Sequence, residues 1–309
     1  MKIVLIVSLV IMILILALIG LYILIGYMAY NFCLKRKGGL LKKISKNYTS
    51  HLEKVGANSE FYNENFRKIQ IVSEEKLKLI GFYKDNNSQK LAILVHGYGG
   101  NHLEVSYAAQ IFDRKGYDLL AIDMRSHGQS EGENLTMGLN ESKDLLLWIN
   151  KMLEIKGNYK IVLYGLSMGA STVCLTLGEK LPNNVVLAIE DCGYENAERE
   201  FSYVYSRRKI HAKWIFKIFT SFTKKTIGFN LKEVDIFRAL KNSKVPVMFI
   251  HGDSDNFVPT EMVYNLSSQI PENRRKIYIA KDATHAMSYA VDPKKYEKEI
   301  NYFLNQFSL

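Results

Sequence analysis

LYGLSMGAST, residues 163–172, sets Ser167 between Gly165 and Gly169 directly after an apolar run. Glycine is costly inside regular structure, so a pair of them around one serine calls for a steric reason. The flanks supply it. Residues 161–164 read as a short buried strand, and a helical pattern starts at Met168 with Ala170 and Ser171 early in it. The five residues from Gly165 to Gly169 are then a strand-to-helix turn. In such a turn the serine takes a strained backbone conformation, and its neighbours must be nearly free of side chain for the turn to close. The hydroxyl is presented above the sheet. The Met168 amide is aimed at charge developing on a substrate oxygen, and the helix N-terminus adds favourable potential.

The surrounding chain repeats the same grammar. Residues 67–71 and 77–83 suggest a hairpin turning at Glu74-Glu75. Short apolar runs follow at 91–95, 119–122, 161–164, 185–189, 247–250 and 276–279, of the kind buried on both faces of a parallel sheet. Helical patterns lie between them, near 103–115, 140–155, 168–180, 260–270 and 294–307. That alternation means βαβ units, so the fold class is α/β, with a mostly parallel sheet and helices on both faces.

A serine nucleophile is weak without a base and an acid that orients it. On a turn of this kind the chain order is Ser, then Asp or Glu, then His. Beyond Ser167 the histidines are His211, His251 and His285, and His285 alone follows the final strand, in DATHAMS (282–288). HGDSDNFVP (251–259) offers two carboxylates, Asp253 and Asp255, and either could be imagined to reach it.

The N-terminus is of another character. No charged residue occurs between Lys2 and Lys35, and residues 3–25 are nearly all Ile, Leu, Val and Met. A membrane-crossing helix needs roughly 20 such residues. The run is too long for a signal-peptide core, and residues 27–32 lack a small-x-small cleavage end. We read residues 1–34 as an uncleaved single-span anchor, against the alternative of a buried soluble helix. Lys35, Arg36, Lys37, Lys42, Lys43 and Lys46 follow, with no acid among them. These six and Lys2 carry seven of the net +10, which leaves +3 for residues 47–309. A basic stretch beside a span points to anionic headgroups. No nucleic-acid-binding signature accompanies the charge, so no nucleic-acid partner is expected. By the positive-inside rule the remainder is expected in the cytoplasm, with the extracellular face as the alternative. The three cysteines contain no CxxC, and neither HExxH nor a Walker A sequence occurs, so no metal or cofactor is expected. We expect residues 35–65 to be a basic juxtamembrane linker and 66–309 one catalytic domain.

Five stretches in order, LVHGYGGNH (94–102), AIDMRSHGQSEG (121–132), LYGLSMGAS (163–171), FIHGDSDNFVP (249–259) and DATHAMS (282–288), resemble the α/β-hydrolase superfamily. Within it they resemble the lid-bearing monoacylglycerol-lipase-like and cinnamoyl-esterase-like serine hydrolases. The resemblance implies an α/β-hydrolase fold, Ser167 as nucleophile, His285 as general base and Asp255 as the orienting acid. The backbone N–H of Tyr98 would be the second oxyanion donor beside that of Met168. His96, Asp123, His127 and Gly128 would brace loops. Ser126 departs from the family, which more often has Arg-Gly-His-Gly there, and this puts the local turn in question. The implied reaction is hydrolysis of acyl or lipid-like esters, with peptides or thioesters as alternatives and a non-catalytic binding protein as the remaining one. A dinucleotide-binding reading of Gly97-Tyr98-Gly99 fails because the third glycine position is His102.

Residues 194–244 are too long for a plain crossover and read as a helical lid. Between 205 and 232 they hold eight Lys or Arg and no acid. At helical spacing Lys209, Lys213 and Lys217 share one face, with Trp214, Ile215, Ile218, Phe219 and Phe222 roughly opposite. The lid either packs these aromatics over the site with a solvated basic face, or rests that face on anionic membrane.

Overall fold

Residues 1, 41–42, 44–47, 64, 207–211 and 308 apart, the computed structural model describes the whole chain. Lys42, Lys46, Lys209 and His211 therefore lie outside the described residues. The apolar runs become β1 (Phe66–Val72), β2 (Lys78–Lys84), β3 (Lys90–Val95), β4 (Asp118–Asp123), β5 (Lys160–Leu166), β6 (Val185–Asp191), β7 (Val247–Gly252) and β8 (Arg275–Ala280). They form one sheet in the order β1-β2-β4-β3-β5-β6-β7-β8. The β1–β2 hairpin runs antiparallel, β2 meets β4 antiparallel, and every pair from β4 to β8 is parallel.

All residues of β4 and β7 are buried, as the absence of polar alternation requires. Successive side chains of β3 feed opposite faces: Leu91, Ile93 and Val95 join one core, Ala92 and Leu94 the other. Trp148, Leu145 and Ile149 from helix Leu139–Ile155 close the first core. Phe112 and Phe303, from helices Ser106–Arg114 and Pro293–Gln306, close the second. The carboxyl ends of β3, β5, β7 and β8 share one edge of the sheet, the usual place for a ligand site in α/β folds.

The lid insertion holds helices Ala197–Ser206, Ala212–Ile227 and Ile236–Lys241. Its aromatic content is divided differently from the sequence expectation. Phe216 and Phe219 pack against Phe201, with ring centroids 6.0 and 5.3 Å apart, while Trp214 is 50% exposed. Phe222 turns to the N-terminal helix, Lys2–Cys33. That helix is long and apolar enough to cross a membrane, and residues 3–19 are exposed along its whole circumference. Its last turns are not free. Gly26, Ala29 and Cys33 are buried, and Tyr22 Oη donates to Ser221 Oγ on the lid at 2.9 Å.

Nor do the described residues between 35 and 65 behave as a bare linker. Lys35 pairs with Asn134 in an antiparallel bridge, and the Arg36 N–H donates to Glu133 O at 2.8 Å. The Arg36 guanidinium donates to the carbonyls of Ser130 (2.7 Å) and Gly128 (2.9 Å). Arg36 thus staples loop 126–137 instead of standing ready for a headgroup. Further on, His51 Nε2 lies 3.1 Å from Glu104 Oε1, and Val55 is fully packed in the second core.

Candidate active site

The turn after β5 has the geometry its two glycines demand. Ser167 sits at φ 54°, ψ −117°, a conformation that L-residues rarely adopt. A Cβ on Gly169 would strike the carbonyl oxygens of Val95 and His96, and one on Gly165 would strike the backbone of Gly169 and Ala170. A side chain at Gly169 would force the turn away from β3, and one at Gly165 would force the start of the helix away from β5. Ser167 itself is only 8% exposed, less open than a bare elbow suggests.

Three residues from three loops meet there. Ser167 Oγ lies 2.8 Å from His285 Nε2, and His285 Nδ1 lies 2.7 Å from Asp255 Oδ2. The other carboxylate oxygen, Oδ1, accepts the N–H groups of Phe257 (2.8 Å) and Val258 (2.9 Å). Asp253 is elsewhere: its Oδ1 accepts the Asp282 N–H at 2.7 Å and the Ser254 hydroxyl at 3.0 Å, tying together the loops after β7 and β8. Burial alone would push the Asp255 carboxyl up. Hydrogen bonds from His251 and His285 outweigh it and hold the group well below the usual carboxylate range.

His251 is the member sequence reasoning passed over. It ends β7 with its Nε2 3.2 Å from Asp255 Oδ2 and 3.0 Å from Val258 O, wholly buried. Burial would lower its pKa, but the hydrogen bond to Asp255 prevails and raises it. The spacing was the available signal, since His251 and Asp255 are four apart in HGDSD. Asp255 therefore serves two imidazoles.

The loop after β3 lies against the serine. A Cβ on Gly97 would stand 3.4 Å from Ser167 Cβ, so the neighbouring Tyr98 amide is at the same edge of the site. Among the described residues the Tyr98 N–H has no hydrogen-bond acceptor. Met168 opens helix Met168–Thr176, where the first amides have no intrahelical acceptor either. Neither N–H is therefore committed to a backbone acceptor among the described residues. The loop is held from behind: Glu104 Oε2 accepts the Gly97 N–H at 2.8 Å, and His127 Nε2 accepts the Gly99 N–H at 3.0 Å. His127 can accept there because it is neutral. Burial lowers its pKa to about 3, and its Nδ1 donates to Arg125 O at 2.8 Å. His96, directly after β3, ties in the loop after β4, its Nε2 accepting the Met124 N–H at 3.1 Å. Asp123 accepts the N–H groups of His102 (2.9 Å) and Gln129 (2.8 Å). The departure at Ser126 is absorbed locally: it takes φ 62°, a glycine-like value, and its hydroxyl donates to Asn134 O at 2.8 Å.

Cys192, Asp255 and His285 bring donor atoms within 4.8 Å of one another. His285 Nδ1 and Asp255 Oδ2 are spent on each other, and burial pushes the Cys192 thiol well up, which keeps it protonated. The cluster suits proton transfer better than cation binding.

Residues 86–191 match the family described as serine aminopeptidase, S33. The uncharacterized protein YqkD of Bacillus subtilis is 28% identical over 219 residues, 70% of this chain and 71% of that protein. The uncharacterized membrane protein YNL320W of Saccharomyces cerevisiae is 23% identical over 218 residues, 69% of this chain and 71% of its own length. Of solved structures, the Pyrococcus furiosus esterase Pf2001 has a TM-score of 0.66 at 22% identity, covering 81% of this chain and 94% of that one. The Pyrococcus horikoshii acylaminoacyl peptidase has a TM-score of 0.57 at 21% identity, over 78% of this chain and 41% of that one. The fold is that of the α/β-hydrolase superfamily.

Proposed function

We propose that this α/β-hydrolase-superfamily protein is a membrane-anchored serine hydrolase that cleaves carboxylic esters through an acyl-enzyme. The observation that carries the reading is the hydrogen-bond chain from Ser167 Oγ through His285 to Asp255. In this mechanism His285 Nε2 takes the hydroxyl proton as Oγ attacks the acyl carbonyl. The carbonyl oxygen becomes negative and accepts the N–H groups of Tyr98 and Met168. His285 then gives its proton to the departing alkoxide, and a water deprotonated by the same nitrogen releases the acid. Asp255 stays charged throughout, fixing the tautomer and stabilising the imidazolium.

The test is a panel of short and long acyl esters, monoacylglycerols and aminoacyl amides, with fluorophosphonate labelling in parallel. Ester hydrolysis and labelling that both depend on Ser167 are expected. A wild-type protein that neither labels nor hydrolyses any of them would leave a binding protein with this fold. The aminoacyl amides are included because the matched family is described as aminopeptidases; a clear preference for them would move the activity to peptide or amide cleavage.

Orientation is a second matter. Six cations follow the apolar run within residues 35–46, against Lys2 and the terminal amine before it, so the catalytic domain is assigned to the cytoplasm. Protease added to intact cells should leave the domain whole, and its digestion would place it outside. The lid presents exposed Lys213, Lys217 and Lys224, with Lys225 over the ring of Tyr22 (5.5 Å to its centroid), next to the helix read as the anchor. We assign this face to anionic headgroups.

A further inference from the structure

Three parts of the candidate site converge on the last turns of the N-terminal helix. The first is the loop after β3: the Tyr98 hydroxyl donates to Cys33 O at 2.5 Å. Cys33 ends its helix and is buried, so the bond ties the loop to the last turn of that helix. The second is loop 126–137. Tyr30 Oη donates to Asn134 Oδ1 at 2.6 Å, Leu34 O accepts the Leu135 N–H at 2.8 Å, and Arg36 caps two more carbonyls. That loop carries His127, the acceptor of the Gly99 N–H. The residue beside the oxyanion amide is therefore gripped from two sides by one short segment. The third is the lid: Gly26 lies so close to Phe222 that a Cβ would come within 2.6 Å of three of its atoms.

A helix serving only as a tether needs none of this. Its lipid-facing stretch shows the contrast, since a Cβ on Gly20 would meet nothing within 4 Å. We propose that residues 22–36 are a positioning element of the catalytic site, which hold the Tyr98 amide on its oxyanion and lock the lid helix beside it. The proposal rests on the reading of Tyr98 N–H as an oxyanion donor. Its physical basis is that such donors act through placement: a donor displaced by a fraction of an ångström loses transition-state stabilisation while ground-state binding is little changed.

The test uses the full chain in detergent or nanodiscs, with a short soluble acyl ester. Tyr98→Phe keeps the amide and the ring and removes only the tie to Cys33. It should lower kcat about tenfold with KM within about twofold, and slow fluorophosphonate labelling in proportion. Gly26→Leu, which wedges the helix off Phe222, should reproduce the fall in kcat, whereas Gly20→Leu should leave it unchanged. Should Gly26→Leu not fold, Tyr98→Phe decides alone, because it adds no atoms. Wild-type kcat in Tyr98→Phe, with Ser167→Ala inactive in the same assay, overturns the positioning role and leaves the hydrolase reading standing. Hydrolysis that survives in Ser167→Ala removes both.

Discussion

Ser167→Ala is expected to lower kcat for ester hydrolysis by about a million-fold, the size of effect that loss of the serine has in triad hydrolases, and to abolish fluorophosphonate labelling. The protein should stay folded. Alanine keeps the Cβ that the elbow already accommodates, so the strain at φ 54° is unchanged and no large cavity opens. What disappears is a single neutral hydrogen bond, Ser167 Oγ to His285 Nε2, worth about 1 kcal/mol of stability. Activity and stability therefore separate cleanly in this variant, and thermal unfolding should show it within a few degrees of wild type. Labelling that persists in a folded Ser167→Ala protein would mean another nucleophile. Cys192 lies near, but burial keeps its thiol protonated, so it is a poor substitute.

The strands and the chain order of Ser167, Asp255 and His285, which the fold brings together, were legible because both are written in short-range code. A buried parallel strand is a run of apolar residues, and an elbow is a pair of glycines at fixed spacing. The structure returns each with boundaries shifted by a residue or two. What escaped is contact between distant segments. Nothing in HGDSD says that β7 will turn the His251 ring back onto the carboxylate that serves His285. Arg36 looks like any other cation in a basic run, yet its guanidinium is consumed by backbone carbonyls almost a hundred residues on. The N-terminal helix was read for lipid alone, because a span is recognised by being apolar all round. A trace of the packing was nevertheless present. Gly26, Ala29 and Cys33 put small residues on one face, in the last turns of a helix whose first two-thirds are mostly Ile, Leu, Val and Met. Small residues at such spacing let another helix approach closely. The boundary expected at residue 66 marks where β1 begins; hydrogen bonds from the N-terminal helix to the rest of the chain start at Tyr22.

Asp255→Asn should lower kcat by about ten-thousand-fold, the size of effect known for asparagine at a triad acid, and the geometry says why. Oδ1 of Asp255 accepts two backbone N–H groups, from Phe257 and Val258. In the asparagine variant the carbonyl oxygen must stay there, since an amide NH2 facing two donors would leave them unpaired. The NH2 is then forced into the place of Oδ2, against His285 Nδ1. That nitrogen can only accept from it, so the imidazole proton moves to Nε2, the atom that faces Ser167 Oγ. A protonated Nε2 cannot take the hydroxyl proton, and the base is lost without any change of shape. His251 meets the same NH2 and must also change tautomer or give up a partner, at a cost of about 1–3 kcal/mol in stability. Asp253→Asn has no such consequence. Its Oδ1 bonds to the Asp282 N–H and the Ser254 hydroxyl can be kept by the amide oxygen, and the NH2 points to solvent from an exposed loop. It should cost less than about tenfold in kcat, mainly by loosening the loop that carries His285. The pair is to be compared by kcat on one soluble ester, with folding checked by thermal melts. If a folded Asp253→Asn protein is the more impaired of the two, the carboxylate that works with His285 is Asp253, and Asp255 serves only to close its own turn.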